Sequence, residues 1–276
     1  MTKRTNNITN IVDNDYKKLS IQISLNGLSF CIVDTISNKI IASKSLFFKE
    51  EVNPYDLVKE LKPVLEENNI TIQKFSEVIV IHKNLLYSLV PKALFNPNEL
   101  ESYINFNSKI LATDLLAYDE IENHDMITVY VPFVNINNYI YDLFGEFTYK
   151  HNSSVMIQTL LGLSNISKGT ICYIHVSEKH MDITILKNKK IILHNSFNFN
   201  SKEDFIYYIL FTLEQLNLAP ETIPLKLFGA IEEGDNLYDI SYKYIKNITI
   251  FIPKNTYHPI AESNSDTIDF TVLNAL

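Results

Sequence analysis

Hydrophobic and polar positions alternate with period two over residues 20–48 and again over 170–199. Ile21, Ile23 and Leu25 alternate with polar residues, as a half-buried strand requires. Asn26-Gly27 reads as a two-residue hairpin turn, and Phe30, Ile32 and Val33 as the return strand. Ser37-Asn38 makes a second turn before a third strand from Ile40 to Phe48. The later block repeats this plan, with strands at Ile171–Val176, Met181–Leu186 and Ile191–Phe199 and a turn at Asn188-Lys189.

Each block leads into a helical period. Asn53-Pro54 starts the first, where Leu57, Leu61, Val64 and Leu65 recur at helical spacing and Pro63 should kink or shorten the helix. Ser201 and Asp204 form a capping box at the start of the second, whose stripe is Phe205, Ile209, Leu213 and Leu216. Continuous apolar runs then follow, Val78–Ile81 and Leu225–Phe228, as strands buried on both faces read. The offset is 151 from Ile23 to Ile174 and 147 from Val80 to Leu227. The chain thus repeats one βββαβ unit. Between the copies, the pattern predicts helices over 98–105, 137–144 and 153–163 and strands at 127–133 and 147–149. After the second copy come a helix over 237–246 and a strand at 248–252.

These patterns divide the chain into a flexible segment (1–17), a first lobe (18–165), a second lobe (166–254) and a polar, partly mobile tail (255–276). With 276 residues, 46% of them hydrophobic, the chain can bury a sizeable core. A net charge of −8 with no basic stripe argues against DNA binding. No apolar run is long enough to enter a membrane, and the polar first residues lack a signal-peptide pattern. Cys31 and Cys172 sit in apolar strands and read as buried free thiols, so the expected location is the cytoplasm.

A duplicated strand-strand-strand-helix-strand unit resembles the ribonuclease-H-like arrangement, two copies of which make the actin-like ATPase fold. His175-Val-Ser-Glu-Lys-His-Met-Asp-Ile-Thr184 is similar to a segment of the pilus-assembly and division actin-like proteins, where Asp-x-Gly precedes Thr-Asp-Ile-Thr. Length and layout resemble a bacterial family of uncharacterised function, mostly from Bacteroidetes, with the same fold. The resemblance implies two α/β lobes around a nucleotide cleft, ATP with Mg²⁺ as cofactor, and a Gly-containing turn with an Asp in each lobe.

This chain departs from that pattern. In the first turn Ser24 stands at the Asp place and Asn26 at the Gly place, with Gly27 one residue late. In the second, His175 replaces Asp and Ser177 replaces Gly, while Asp182 belongs to the retained Met-Asp-Ile-Thr half. Of a third, Gly-Gly turn, Gly229 and the later Gly234 remain. Side chains at such turns crowd a phosphate, and loss of both carboxylates removes the usual Mg²⁺ ligands. The expectation is a cleft with no catalytic set, no metal and no cofactor, in a scaffold or adaptor with a protein partner or a second copy of itself. The alternatives are an ATPase or kinase with altered phosphate loops and a cytoplasmic component of a membrane-associated assembly. Members of the resembled family are often encoded beside an rRNA methyltransferase, which hints at a ribosome-linked partner.

Two other constellations carry less. His175, His180 and His194 invite a metal reading but lack a carboxylate or Cys at ligand spacing. Ser24, His175 and Asp34 or Asp182 could be drawn as a hydrolytic triad, without any nucleophile elbow to support it. Of 16 Tyr and 16 Phe, Tyr139, Tyr141 and Phe144 share one helix and Tyr207, Tyr208 and Phe211 another; most are expected in the core, with a surplus for a partner face.

Overall fold

The computed structural model describes residues 16–163, 169–253, 258–259 and 268–276, so nearly all of the segment expected to be flexible lies outside the described residues. Strands β1 (Lys17–Ser24), β2 (Gly27–Asp34) and β3 (Lys39–Phe47) form an antiparallel meander. After a 3-10 turn at Pro54–Asp56, helix α1 (Leu57–Glu67) returns the chain to β4 (Glu77–His82), parallel to β1. Pro63 does not end α1. It is solvent-exposed, so the carbonyl left without its donor faces water.

A smaller unit follows: β5 (Tyr87–Pro91), α2 (Leu100–Asn105), β6 (Ala117–Glu120) and β7 (Met126–Tyr130), with the strands ordered β5-β7-β6. Helix α3 (Val134–Phe144) ends at Gly145 and leads to β8 (Thr148–His151) and α4 (Asn152–Leu163). The second copy comprises β9 (Thr170–Ser177), β10 (His180–Lys187), β11 (Lys190–Asn198), α5 (Lys202–Gln215), β12 (Leu225–Gly229), α6 (Asn236–Tyr244) and β13 (Ile248–Ile250). Two residues, β14 (His258–Pro259), then return to the first sheet, and α7 (Phe270–Asn274) closes the chain.

The two large sheets have matching orders, β14-β3-β2-β1-β4-β8 and β11-β10-β9-β12-β13. Even an irregularity repeats. The register shifts between Ile32 and Val33 in β2, and between Ile185 and Leu186 at the corresponding place in β10. The strand ends also correct the internal alignment. Ser24 pairs with Gly27 at the end of one hairpin and Ser177 with His180 at the end of the other, so Ser24 matches Ser177. The partner of His175 is therefore Gln22, two residues before Ser24. A slip of two preserves which face every side chain occupies, so the alternation alone could not detect it.

The turn chemistry was read correctly in the second copy and displaced by one in the first. Asn188 and Lys189 both have positive φ (51° and 61°), as a two-residue hairpin prefers. In the first copy the loop residues are Leu25 and Asn26, and Gly27 begins β2. Gly27 is needed because a Cβ there would lie 2.4 Å from the Leu46 carbonyl oxygen of β3. The Ser201–Asp204 capping box is present at the start of α5.

One core lies between the first sheet and α1 and α3, around Ile21, Phe30, Leu61 and Ile140. A second lies under α5, around Ile183, Phe205 and Leu227. Helix α4 joins them. It contributes Val155 to the back of the first sheet and Met156, Ile157 and Leu160 to the back of the second. A helix apolar on all sides is one that neighbours surround. The tail expectation needs correction at its end, since Phe270, Thr271, Val272 and Leu273 of α7 are buried. Val272 and Leu273 pack with Cys31 and Ile81 of the first sheet, and Phe270 reaches Phe228 of the second.

Candidate functional site

The C-terminal ends of β1 and β9 face one another across a cavity of about 560 Å³. Ser24, Asn26, Gly27 and Ser177 line it, together with Lys83 and Asp269. Neither serine side chain is idle. Ser24 Oγ donates to the Gly27 carbonyl within its own hairpin at 3.0 Å. Ser177 Oγ donates to the His180 carbonyl at 3.3 Å and accepts from Lys83 Nζ at 3.2 Å. Lys83 directly follows β4, where its backbone N–H bonds the Ile23 carbonyl at 2.8 Å. It is thus fixed to the first sheet and reaches the second.

Asp269, the N-cap of α7, enters the same place from the end of the chain. Its carboxylate accepts from Gln22 Nε2 at 2.9 Å and from the backbone N–H of Thr271 at 2.9 Å. The Thr271 hydroxyl in turn bonds the Gln22 carbonyl oxygen. The deep setting raises the Asp269 pKa, but the charges of Lys83 and His175 and the bonds from Thr271 and Val272 outweigh this and hold it below the usual carboxylate range.

Behind the cavity, Asp182 organises a buried web. Its two oxygens accept from His175 Nδ1 at 3.2 Å, His180 Nε2 at 3.1 Å and Ser196 Oγ at 2.6 Å. Burial raises its pKa, yet the His180 charge, the bonds from both histidines and the Lys83 charge leave it well below the usual range. Ser196 passes the network to Tyr87 of the small sheet at 3.1 Å. The Tyr87 ring lies 4.7 Å from His151 and 5.9 Å from His194. Asp119 of β6 accepts from Ser154 Oγ at 2.6 Å, the His151 N–H at 2.7 Å and Tyr130 at 3.0 Å.

The histidine block does have a carboxylate within reach. Asp182 does join His175 and His180, but as a hydrogen-bonding partner of both, and His194 turns to Thr184 at 2.8 Å. Among the described residues no group of three or more His, Cys, Asp or Glu is arranged to hold a metal ion. In the triad drawing, the Ser24 hydroxyl bonds the Gly27 carbonyl, while His175 pairs with Asp182.

The glycines of the third region do not line the cavity. Gly229 has φ 92°, and a Cβ there would lie 2.3 Å from the Val176 carbonyl oxygen and 2.9 Å from the His175 ring. It lets the end of β12 lie close against its neighbour β9. Gly234 has φ 93° but open space around it. Gly229→Ala is expected to cost about 2–3 kcal/mol and Gly234→Ala about 1 kcal/mol, because only the first adds a collision to the backbone strain. Thermal melting of the two variants side by side checks the difference.

Gln22, Lys83, Asp269 and Tyr87 were not anticipated as site residues. Lys83 had a readable signal, since a charge just after a buried parallel strand lies where open α/β sheets place ligands. Asp269 before Phe-Thr-Val-Leu had another, that of a helix N-cap.

Two β-sheets of one topology, with strand ends facing across a cleft, have the arrangement of the actin-like, ribonuclease-H-like fold. The chain belongs to the family described as protein of unknown function DUF3822, whose profile matches residues 5–248. A Bacteroides thetaiotaomicron protein with an actin-like ATPase fold and unknown function superposes with a TM-score of 0.74 at 23% identity, over 86% of this chain and 91% of that one. A chain of the PilM-PilN type IV pilus biogenesis complex superposes with a TM-score of 0.58 at 13% identity, over 93% of this chain and 96% of that one. The fold is thus that of the actin-like ATPases. No curated protein sequence matches this one.

Proposed function

We propose that this is a noncatalytic actin-like protein of the cytoplasm, acting as a scaffold or adaptor for a protein partner. Residues 18–165 form one lobe and 166–254 the other on this reading. The observation that carries it is the state of Lys83. In the cleft between the sheets its ammonium bonds Ser177 Oγ at 3.2 Å, and its charge is among the causes that hold the Asp182 and Asp269 carboxyls below the usual range. The cavity's other lysines, Lys49 and Lys179, stand among Glu50, Glu51 and Glu178, and the strand-end positions Ser24 and Ser177 carry side chains bonded into their own hairpins. Asp269 meets Gln22 and Asp182 meets its histidines, so neither is free to organise hydrated Mg²⁺.

A scaffold of this shape acts through its surface. The fold also occurs in the PilM-PilN complex, an assembly between proteins. Among the described residues no helix is long and apolar enough to cross a membrane. Steady-state phosphate release from Mg-ATP tests the reading. The expected rate equals the protein-free background. Release above background that disappears in Lys83→Ala would make the protein a nucleotide-dependent enzyme instead.

A further inference from the structure

The small unit built from β5, β6, β7 and α2 has an outer surface that the fold itself does not explain. Its core holds four fully buried residues, Val90, Ile104, Ile127 and Val129. Against these it exposes five large apolar side chains: Leu94 (70% exposed), Phe106 (89%), Leu111 (64%), Leu115 (61%) and Tyr118 (47%). Leu94, Leu111 and Tyr118 are held in place. The Phe95 ring lies 4.8 Å from Tyr118 and stacks on Tyr103 at 6.1 Å, and the Tyr103 hydroxyl bonds the Leu94 carbonyl at 2.7 Å. Leu111 sits in a loop closed by its own N–H to the Asp114 carboxylate at 2.9 Å. Large apolar side chains exposed together on one small unit mark an interaction site.

The charge around it selects the partner. Between Lys92 and Asp125 the chain carries seven acidic residues against two lysines, in a protein of net charge −8. One lysine, Lys92, is taken by Glu120. Glu99, Glu101, Glu122 and Asp125 are exposed, and no described cation forms an ion pair with any of them. Acidic and apolar side chains exposed on the same small unit are complementary to a segment carrying both lysine or arginine and apolar side chains. A second copy presenting the same face would bring like charges together, and an anionic membrane surface would be repelled.

We propose that this unit is the docking surface for a basic, amphipathic segment of a partner protein. The proposal rests on the scaffold reading and gives its partner a chemistry. The probe is a labelled helical peptide with leucine at i, i+3, i+4 and i+7 and lysine elsewhere. Fluorescence anisotropy is expected to show saturable, salt-sensitive binding. That binding should weaken at least about tenfold in the triple variant Leu94→Ser, Phe106→Ser, Leu115→Ser, and likewise in Glu99→Lys, Glu101→Lys. All five positions are on the surface, and unchanged melting temperatures will show that the variants fold. Glu232→Lys, Glu233→Lys, in the loop after β12, should bind as the unaltered protein does.

Absence of binding, equal loss in the Glu232/Glu233 variant, equal affinity for the matching leucine–glutamate peptide, or partition into phosphatidylserine vesicles at the expense of the peptide would each overturn the proposal. Phosphate release from Mg-ATP reads the cleft independently. A peptide that fails while ATP stays intact removes only the docking surface, whereas ATP turnover removes the scaffold reading.

Discussion

Asp182→Ala is expected to destabilise the protein by about 3–5 kcal/mol, the usual effect of removing one member of a buried charged network. On a chain of this size that corresponds to a fall in Tm of roughly 10 °C. The carboxylate is completely buried and has three hydrogen-bond donors, from three strands of the second sheet. Alanine leaves His175 and Ser196 facing a cavity without an acceptor. It also removes one of the charges that Lys83 interacts with. Asp182→Asn keeps the shape and part of the bonding, so its effect should be smaller. Near-equal melting of the alanine variant and the unaltered protein would contradict the role given to this residue.

The second large effect is a loss of stability in acid, well above the pH at which ordinary carboxylates titrate. His82, His151 and His194 are buried among the three sheets. Burial lowers their pKa values to about 4, about 3 and about 4, and for His151 the charges of His194 and His82 add to it. In the unfolded chain each titrates near 6.5. Between those values the unfolded state binds protons that the folded state refuses, so stability is complete above about pH 6.5 and falls as the pH drops toward 4. Three such groups give at most about 4 kcal/mol per pH unit, and a loss of order 5 kcal/mol at pH 5.

Asp119 works in the opposite sense. Burial raises its pKa despite the bonds from Ser154, His151 and Tyr130, so the fold gains a proton there that the unfolded chain lacks. One such group offsets part of the loss from three. Asp182 and Asp269 have lowered pKa values, so their contributions fail only below about pH 4 and leave this window untouched. Denaturant titrations at pH 7, 6 and 5 measure the slope. His151→Gln should reduce it by about one proton, and a flat profile from pH 7 to 5 would refute the assignment.

Much of the fold was legible because it rests on local chemistry. The two meanders follow from period-two alternation, and the Asn188-Lys189 turn and Ser201 cap from short polar signals. The elements that escaped were those whose reason is distant. β5 and β6 of the small sheet are short and lie against β7, which the pattern did find. Helix α7 is apolar because two sheets and α4 surround it, which five residues cannot announce. The site was legible as a place rather than as a chemistry. Ser24, Asn26, Gly27 and Ser177 do meet at one cavity, whereas His175 and Asp182 stand behind it and Gly229 and Gly234 outside it. Gln22, Lys83 and Asp269 complete it from β1, the end of β4 and the end of the chain. Only the folded arrangement brings those three together.

On the proposed reading, the cleft keeps the actin-like shape but binds no Mg-ATP. Calorimetric titration of Mg-ATP tests it most directly. The predicted result is no saturable heat up to about 1 mM nucleotide, in the unaltered protein and in Lys83→Ala alike. Saturable one-to-one binding with a Kd below about 100 µM, lost in Lys83→Ala, would contradict it.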